Sequence, residues 1–424
     1  MKQPVSAERR MGTEAASGRL RRRCRLAARC AAVAVAVVLG LAVLPWADAP
    51  VVVPAVSPFV AVSSVIAARA VGVTALFAVP VLAVSLARRR WFCRWACPVG
   101  LVSEWLGRLR PGSQPRLAKW PAVGQWVVLV TLGGACLGYP VLVWSDPLAM
   151  FSGFLGAWRW PLSVAAVLPA IGLAGVCVVS VLLPHAWCGR LCPLGGMEDL
   201  LAVPWRLWRR GRRPDGAAAA SGESAAGQGW ASARRVFLGA GIGGLWALAT
   251  RGVRGGSPAP LRPPGAQDED RFIGLCVRCG NCARVCPAGI LRPDLGLSGA
   301  AGLLTPVVVF ERDYCRTDCH ACNTVCPSGA IGRLSLEAKR RWVMGRARVD
   351  LAACLLAGGQ ECAACITACP YDAVTRATSD DGFFSEPRVL AAKCTGCGAC
   401  EAACPTWPKK AIRVEPRCTH ERVP

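Results

Sequence analysis

Histidine is nearly missing, with three in 424 residues. No C-x-x-C-H run occurs, and Cys315 to His320 has the wrong spacing, so a multihaem protein is excluded despite 25 cysteines. Charged residues are also few, at 18% of the chain against 53% apolar, with a mean hydropathy of +0.38. That is too apolar for a disordered or nucleic-acid-binding chain and points to a membrane protein. Acid is the scarcer sign, 26 Asp+Glu against 50 Lys+Arg, a net charge of +24. Residues 1–250 hold 27 basic and 9 acidic residues, and residues 251–424 hold 23 and 17. Most of the excess therefore sits in the apolar half, where Arg clusters separate hydrophobic runs. Positive-inside topology explains this better than DNA binding, and no nucleic-acid partner is expected. The length allows two or three domains and rules out a small disulfide-stapled fold.

Residues 1–29 are polar and basic (Arg21, Arg22, Arg23, Arg25, Arg29), as a cytoplasmic N-terminus would be. Apolar, charge-free segments follow at about 30–47, 70–87, 120–143 and 161–184. Each is close to the ~20 residues an α-helix needs to cross a ~30 Å hydrocarbon core, which predicts a four-helix membrane domain over 30–210. Residues 49–68 are also uncharged, but Pro50, Pro54 and Pro58 argue for an interfacial or re-entrant stretch. The loop after the second helix carries Arg88, Arg89, Arg90, Arg94, Arg108, Arg110, Arg116 and Lys119, and the loop after the fourth Arg190, Arg206, Arg209, Arg210, Arg212 and Arg213. Both ends of the unit thus face the cytoplasm of a bacterial inner membrane.

Residues 211–231 read as an Ala/Gly/Ser linker. The segment 232–255 opens Ser232-Ala233-Arg234-Arg235-Val236-Phe237-Leu238-Gly239 and resembles a twin-arginine export signal. Ala233 stands where Ser or Thr is usual, and Gly239 where Lys is. The alternative is a fifth helix with a basic flank. The apolar stretch, with Gly239, Gly241, Gly243 and Gly244, is short and weakly apolar for that, which favours export. A third alternative is cleavage at Ala247-Leu248-Ala249, freeing the C-terminal half of the chain.

Of the 17 cysteines after residue 250, sixteen fall into four groups within residues 256–424. The first is Cys276-x2-Cys279-x2-Cys282-x3-Cys286-Pro287 and the fourth Cys394-x2-Cys397-x2-Cys400-x3-Cys404-Pro405. Both match the bacterial ferredoxin run, in which three closely spaced thiolates hold one [4Fe–4S] cubane and the fourth ligates its partner. A tight loop can bring three sulfurs to three corners of a cube, and the fourth must arrive from elsewhere. The second group, Cys315-x3-Cys319-x2-Cys322-x3-Cys326-Pro327, is one residue longer in its first gap. The third, Cys354-x7-Cys362-x2-Cys365-x3-Cys369-Pro370, is looser still. Zinc sites set two Cys pairs a dozen or more residues apart and need no repeated Cys-Pro. Disulfides would make four copies of one spacing a coincidence. Four cubanes are expected, in an α+β ferredoxin-like domain after the α-helical membrane bundle. They would add about −8 to the domain's net +6. Cys418 lies outside the pattern.

The membrane half carries Phe92-Cys93-Arg94-Trp95-Ala96-Cys97-Pro98 and Trp187-Cys188-Gly189-Arg190-Leu191-Cys192-Pro193. Both read aromatic-Cys-x3-Cys-Pro and then Gly, at equivalent places after helices two and four, which suggests a duplicated helical hairpin. Two such motifs brought together supply four thiolates for a second metal or redox centre; a pair of buried or redox-active thiols is the plainer alternative. Cys136 and Cys177, inside apolar segments, read as packing residues.

Residues 30–210, with these two motifs, resemble NapH-type membrane iron–sulfur proteins. Residues 232–415 resemble NapG-type exported ferredoxins, through the twin-arginine stretch, Leu261-Arg262-Pro263-Pro264-Gly265-Ala266 and the four cluster motifs. The MauN/MauM pair is similar to both, so the chain looks like a fusion of two partners. The resemblance implies oxidation of membrane quinol, as a quinol dehydrogenase component, with electrons passed through the ferredoxin domain to a periplasmic reductase or cytochrome. Asp146, in Trp144-Ser145-Asp146-Pro147, is the candidate acceptor of a quinol proton; a turn residue or helix cap is its plainer reading. The competing function is an accessory, maturation or regulatory factor for a periplasmic copper or molybdenum enzyme, as in NosR-type and CcoG-type proteins. An exported ferredoxin domain would leave ~30 Å of hydrocarbon between its clusters and the Cys-x3-Cys-Pro motifs; a cytoplasmic one would not.

Overall fold

The computed structural model describes residues 5–41, 49–109, 121–157, 170–203, 225–253, 260–378, 382 and 385–416. Cys418, most of the linker expected at 211–231 and parts of the first and fourth apolar segments lie outside them. The described residues of the first half are mainly helical and contain no strand, as its apolar runs predict. Its helices are α1 (Val5–Gly40), α2 (Val52–Ala55), α3 (Pro58–Ala68), α4 (Val79–Ala87), α5 (Trp91–Trp95), α6 (Pro98–Gly107), α7 (Val123–Cys136), α8 (Pro147–Ala157), α9 (Ile171–Leu182), α10 (Pro193–Leu201) and α11 (Ala225–Val253). Among the described residues no single helix is long and apolar enough to cross a membrane. The pair Ala49–Ala55 and Pro58–Ala68 passes by length and composition together, bent by 90°. Its break falls where Ser57 caps α3 and Pro58 takes the first helical position, where a missing N–H costs nothing.

The twin-arginine-like segment lies within α11, packed along α7. Gly239 sits against Leu129, Gly243 against Val130 and Ala240 against Gly133, and Arg251 donates to the carbonyl of Leu137 at 2.7 Å, so the two helices run parallel. A Cβ on Gly243 would lie 1.9 Å from the Val130 carbonyl oxygen, and one on Gly133 would lie 2.2 Å from that of Ala240. The glycines that weaken this segment as an apolar run are what let two helix backbones touch. Cys136, expected to pack inside, is exposed at the end of α7, and Cys177 is half-buried.

The second half is a small α+β unit. Its helices are α12 (Glu269–Leu275), α13 (Asn281–Val285), α14 (Gly299–Gly302), α15 (Ala321–Thr324), α16 (Leu336–Arg340), α17 (Ala364–Thr367) and α18 (Ala399–Ala403). Its antiparallel ribbons pair β1 (Leu291–Pro293) with β2 (Pro306–Val308), β3 (Gly345–Val349) with β6 (Ile412–Pro416) and β4 (Val374–Thr378) with β5 (Ser385–Val389). Arg262, almost fully buried, pins the entry of the unit. It grips Glu269 with two bonds of 2.9 and 2.6 Å, donates to Thr305, the Pro306 carbonyl and Ser298, and lies over the Phe272 ring. A planar five-donor fork can satisfy all of these at once.

Candidate metal centres

Each ferredoxin motif folds the same way. After its second cysteine the chain enters a short helix carrying the third, α13, α15, α17 or α18. In the first and fourth motifs the distal cysteine caps that helix, because proline follows and forces extended backbone before it, at Cys286 (ψ 111°) and Cys404 (ψ 125°); in the second and third the cap is one residue earlier, at Val325 and Ala368. In the first and fourth motifs a left-handed glycine, Gly280 (φ 71°) or Gly398 (φ 84°), separates the second cysteine from the helix. At Gly398 any side chain would also enter the Phe310 ring.

The motifs then exchange their distal cysteines in pairs. Cys276, Cys279 and Cys282 gather with Cys326 of the second motif, close enough to act electrostatically on one another. Cys315, Cys319 and Cys322 line a pocket with Cys286 of the first. Cys354, Cys362 and Cys365 line one with Cys404 of the fourth, and Cys394, Cys397 and Cys400 one with Cys369 of the third. Helix α13 packs on α15 and α17 on α18, which brings each pair face to face. All the described cysteines are free, and no three Cys, His, Asp or Glu among the described residues converge closely enough to hold one metal ion. Thiols set three-plus-one, without convergence on a single ion, suit a multinuclear cluster; a zinc ion would draw its sulfurs to ~2.3 Å.

Their ionisation fits the same group. Burial pushes the Cys279 and Cys397 thiols up to about 12 and Cys365 up to about 11, with neighbouring cysteines adding to the rise. These sulfurs become thiolates when cationic iron compensates them. Cys404 runs the other way: against its burial, hydrogen bonding from Thr406 and the Ile412 and Ala411 backbone holds it below the usual thiol range.

The four cysteines of the bundle also meet. Cys97 and Cys192 belong to one buried cluster, with Cys93 packed against it, and Cys188 acts electrostatically on Cys97 and Cys192. Cys97 caps α6 and Cys192 caps α10, each with proline at the first helical position. The backbone N–H groups of Gly100 and Gly195, in the first turn of each helix, lie near these sulfurs without a formed cap hydrogen bond. A thiolate there sits at the positive end of a helix dipole. The second motif differs in one respect: Trp187–Leu191 forms a π-turn where Trp91–Trp95 is α-helical.

The hairpin duplication extends well past the cysteines, at a constant offset from Cys93 to Cys188. It maps Ser85 onto Ser180, Ser103 onto Glu198 and Glu104 onto Asp199. Ser85 donates to Glu198 at 3.4 Å and Ser180 to Ser103 at 2.9 Å, both across the two repeats. Arg29 pairs with Glu104, while Arg89 and Arg90 pair with Asp199 at 2.5 and 2.8 Å. Arg90 also donates to the carbonyls of Cys188 and Gly189. Charge counting on the basic loops did not single out these arginines; the repeated acid seven residues after Cys97 and Cys192 was the available signal. Glu198, fully buried beside Cys93, breaks the symmetry where Ser103 meets Cys188.

Asp146 is fully buried and caps α8. One oxygen accepts the N–H groups of Leu148 and Ala149 at 3.0 and 2.9 Å, and the other accepts Ser57 at 2.5 Å.

A "4Fe-4S dicluster domain" family matches residues 275–330 and 344–407, and a "4Fe-4S binding domain" family matches 71–116 and 165–214, which take in the bundle motifs. The chain is 34% identical over 194 residues to the methylamine utilization ferredoxin-type protein MauM of Methylophilus methylotrophus, covering 43% of this chain and 84% of that one. It is 37% identical to the ferredoxin-type protein NapG of Escherichia coli over 37% of this chain and 70% of that one. To the ferredoxin-type protein NapF of the same organism it is 32% identical over 38% and 85%. No solved structure matches.

Proposed function

The chain belongs to the family of ferredoxin-type iron–sulfur proteins that includes MauM and NapG, and from that membership we propose a membrane-bound carrier of electrons from quinol to a periplasmic reductase or cytochrome. The observation that carries it is the set of four three-plus-one cysteine sites in one domain, joined to a bundle that gathers four more thiols. Bound at these sites, [4Fe–4S] clusters supply one-electron chemistry. The protein's own work is to hold sixteen thiolates at four sites of one domain, six of them buried and the rest partly shielded from water. Cys93, Cys97, Cys188 and Cys192 hold a fifth centre, kept in register by the Arg29–Glu104 and Arg90–Asp199 pairs.

The membrane reading draws on large apolar side chains left exposed on several helices of the bundle, Val35, Leu76, Phe237, Leu245 and Trp246 among them. Arg29, Arg89, Arg90 and Arg94 lie at the end with the Cys-x3-Cys-Pro motifs, which we place in the cytoplasm. The ferredoxin domain follows α11 at the opposite end, on the periplasmic side. Helix α11 is retained as a fifth helix, because its glycine face is already occupied by α7. Membranes from an anaerobic culture test this reading: quinol should reduce the clusters of the intact chain, protease in spheroplasts should reach the C-terminus, and a tag at either end should report one uncleaved polypeptide. A deletion strain whose target enzyme lacks metal would instead favour an accessory factor.

A further inference from the structure

One of the four ferredoxin sites is built into the bundle. Asn281, between Cys279 and Cys282, has no exposed surface. Its side-chain amide donates to the carbonyl of Pro50 at 3.1 Å and accepts Ser152 of α8 at 3.0 Å. Arg284, one turn on, donates to the carbonyl of Gly40 at 2.7 Å, at the open end of α1, where four carbonyls lack helical partners. Val277 and Cys279 pack in one buried cluster with Phe59, Val60, Val128 and Met197. Six cysteines of the third and fourth motifs, Cys354, Cys365, Cys369, Cys394, Cys400 and Cys404, instead lie in a cluster without any bundle residue.

The same elements lead back to the bundle cysteines. Met197 lies on α10, whose cap is Cys192, so from Cys192 to Met197 the helix rises roughly 8 Å. Along α1, from Arg29 beside Gly100 to Gly40 bonded to Arg284, the rise is roughly 16 Å, about half of a ~30 Å hydrocarbon core. The wide separation expected between the bundle motifs and an exported ferredoxin domain is thereby halved.

We infer that the Cys276–Cys282 loop is the electron-receiving face of the ferredoxin domain, and that Asn281 is the positioning residue that locks it to the bundle. The inference rests on the quinol reading for its direction. With clusters held at both sites, each transfer would move one electron: the group at Cys93/Cys97/Cys188/Cys192 would be oxidised by one, that at Cys276/Cys279/Cys282/Cys326 would be reduced by one, and no proton or bond would change hands. Onward passage follows from the shared distal cysteines, Cys286 and Cys326, that tie the first site to the second.

The test uses the full chain with Asn281→Leu, and with the milder Ser152→Ala should the first fail to load iron. Removing a buried, hydrogen-bonded amide raises the undocked fraction roughly tenfold to a hundredfold. In dithionite-reduced wild type, a water-soluble nickel chelate should leave the spin relaxation of the first site unchanged while shortening that of the third and fourth. In Asn281→Leu the first site should become sensitive, and quinol-driven reduction of all four sites should slow while dithionite still fills them. A first site that is chelate-sensitive in wild type, or wild-type kinetics and shielding in both variants, overturns the inference. Failure of quinol to reduce wild type, with the first site still shielded, overturns the quinol reading and leaves the docking in place.

Discussion

A thiol packed among other thiols and away from water ionises with difficulty, and the ferredoxin cysteines carry that cost until iron arrives. Cys279 and Cys397 are pushed up to about 12 and Cys365 to about 11 by burial, from an ordinary value near 9.0. A raised folded-state value stabilises the fold below the unfolded value, and that contribution is lost as pH climbs through the folded one. Cluster-free protein, kept anaerobic, is therefore expected to lose stability between about pH 9 and pH 12 in denaturant titrations. The cluster-loaded protein, whose thiolates are already deprotonated, should lack that slope. Asp146 shows a different residue-scale logic. Its two oxygens are engaged by Leu148, Ala149 and Ser57, so Asp146→Asn should cost about 1–2 kcal/mol of bundle stability, the usual value of a cap. Quinol oxidation by that variant should remain close to wild type, since no acceptor oxygen is left over; a loss with unchanged stability would restore Asp146 as the proton acceptor.

Between elements, the decisive features are close approach and exchange. Gly243→Leu would force a side chain into the Val130 carbonyl of α7, and overpacking of this kind costs about 1–3 kcal/mol or more. Release of the ferredoxin domain to mild protease, with Arg234→Lys and Arg235→Lys without effect, is the expected pattern. Distal-cysteine exchange gives a sharper check. Cys286→Ser should remove the spectroscopic signature of the site formed by Cys315, Cys319 and Cys322, and Cys404→Ser that of the site formed by Cys354, Cys362 and Cys365. Loss of each variant's own-motif site instead would reverse the pairing. The sixteen thiols were legible from spacing alone, because three cysteines in a tight loop are a local property. Their partners were not, since the choice between motifs depends on α13 meeting α15 and α17 meeting α18. Likewise Gly239 and Gly243 lowered the apparent worth of α11 as a helix, and only the facing α7 turns that weakness into contact.

At the scale of the whole molecule, the ferredoxin domain meets the helical half through α12 and the buried loop that follows it. Composition and charge change near residue 250, and the repeated Cys-x3-Cys-Pro motifs fall in the two segments, 71–116 and 165–214, that one family matches. Neither could place Asn281 against Pro50 and Ser152, because that contact spans more than a hundred residues and uses an amide with no motif of its own. The anionic clusters also give the basic excess of the second half a use, as compensation within the domain rather than attraction to an external polyanion. The most direct measurement is the iron and acid-labile sulfide content of the intact chain, purified anaerobically from membranes. Sixteen irons per polypeptide from the ferredoxin domain, with an equal number of sulfides and a further complement that disappears in Cys93→Ser, is the expected result. Zinc in their place, or far fewer than sixteen irons in fully folded protein, would contradict it.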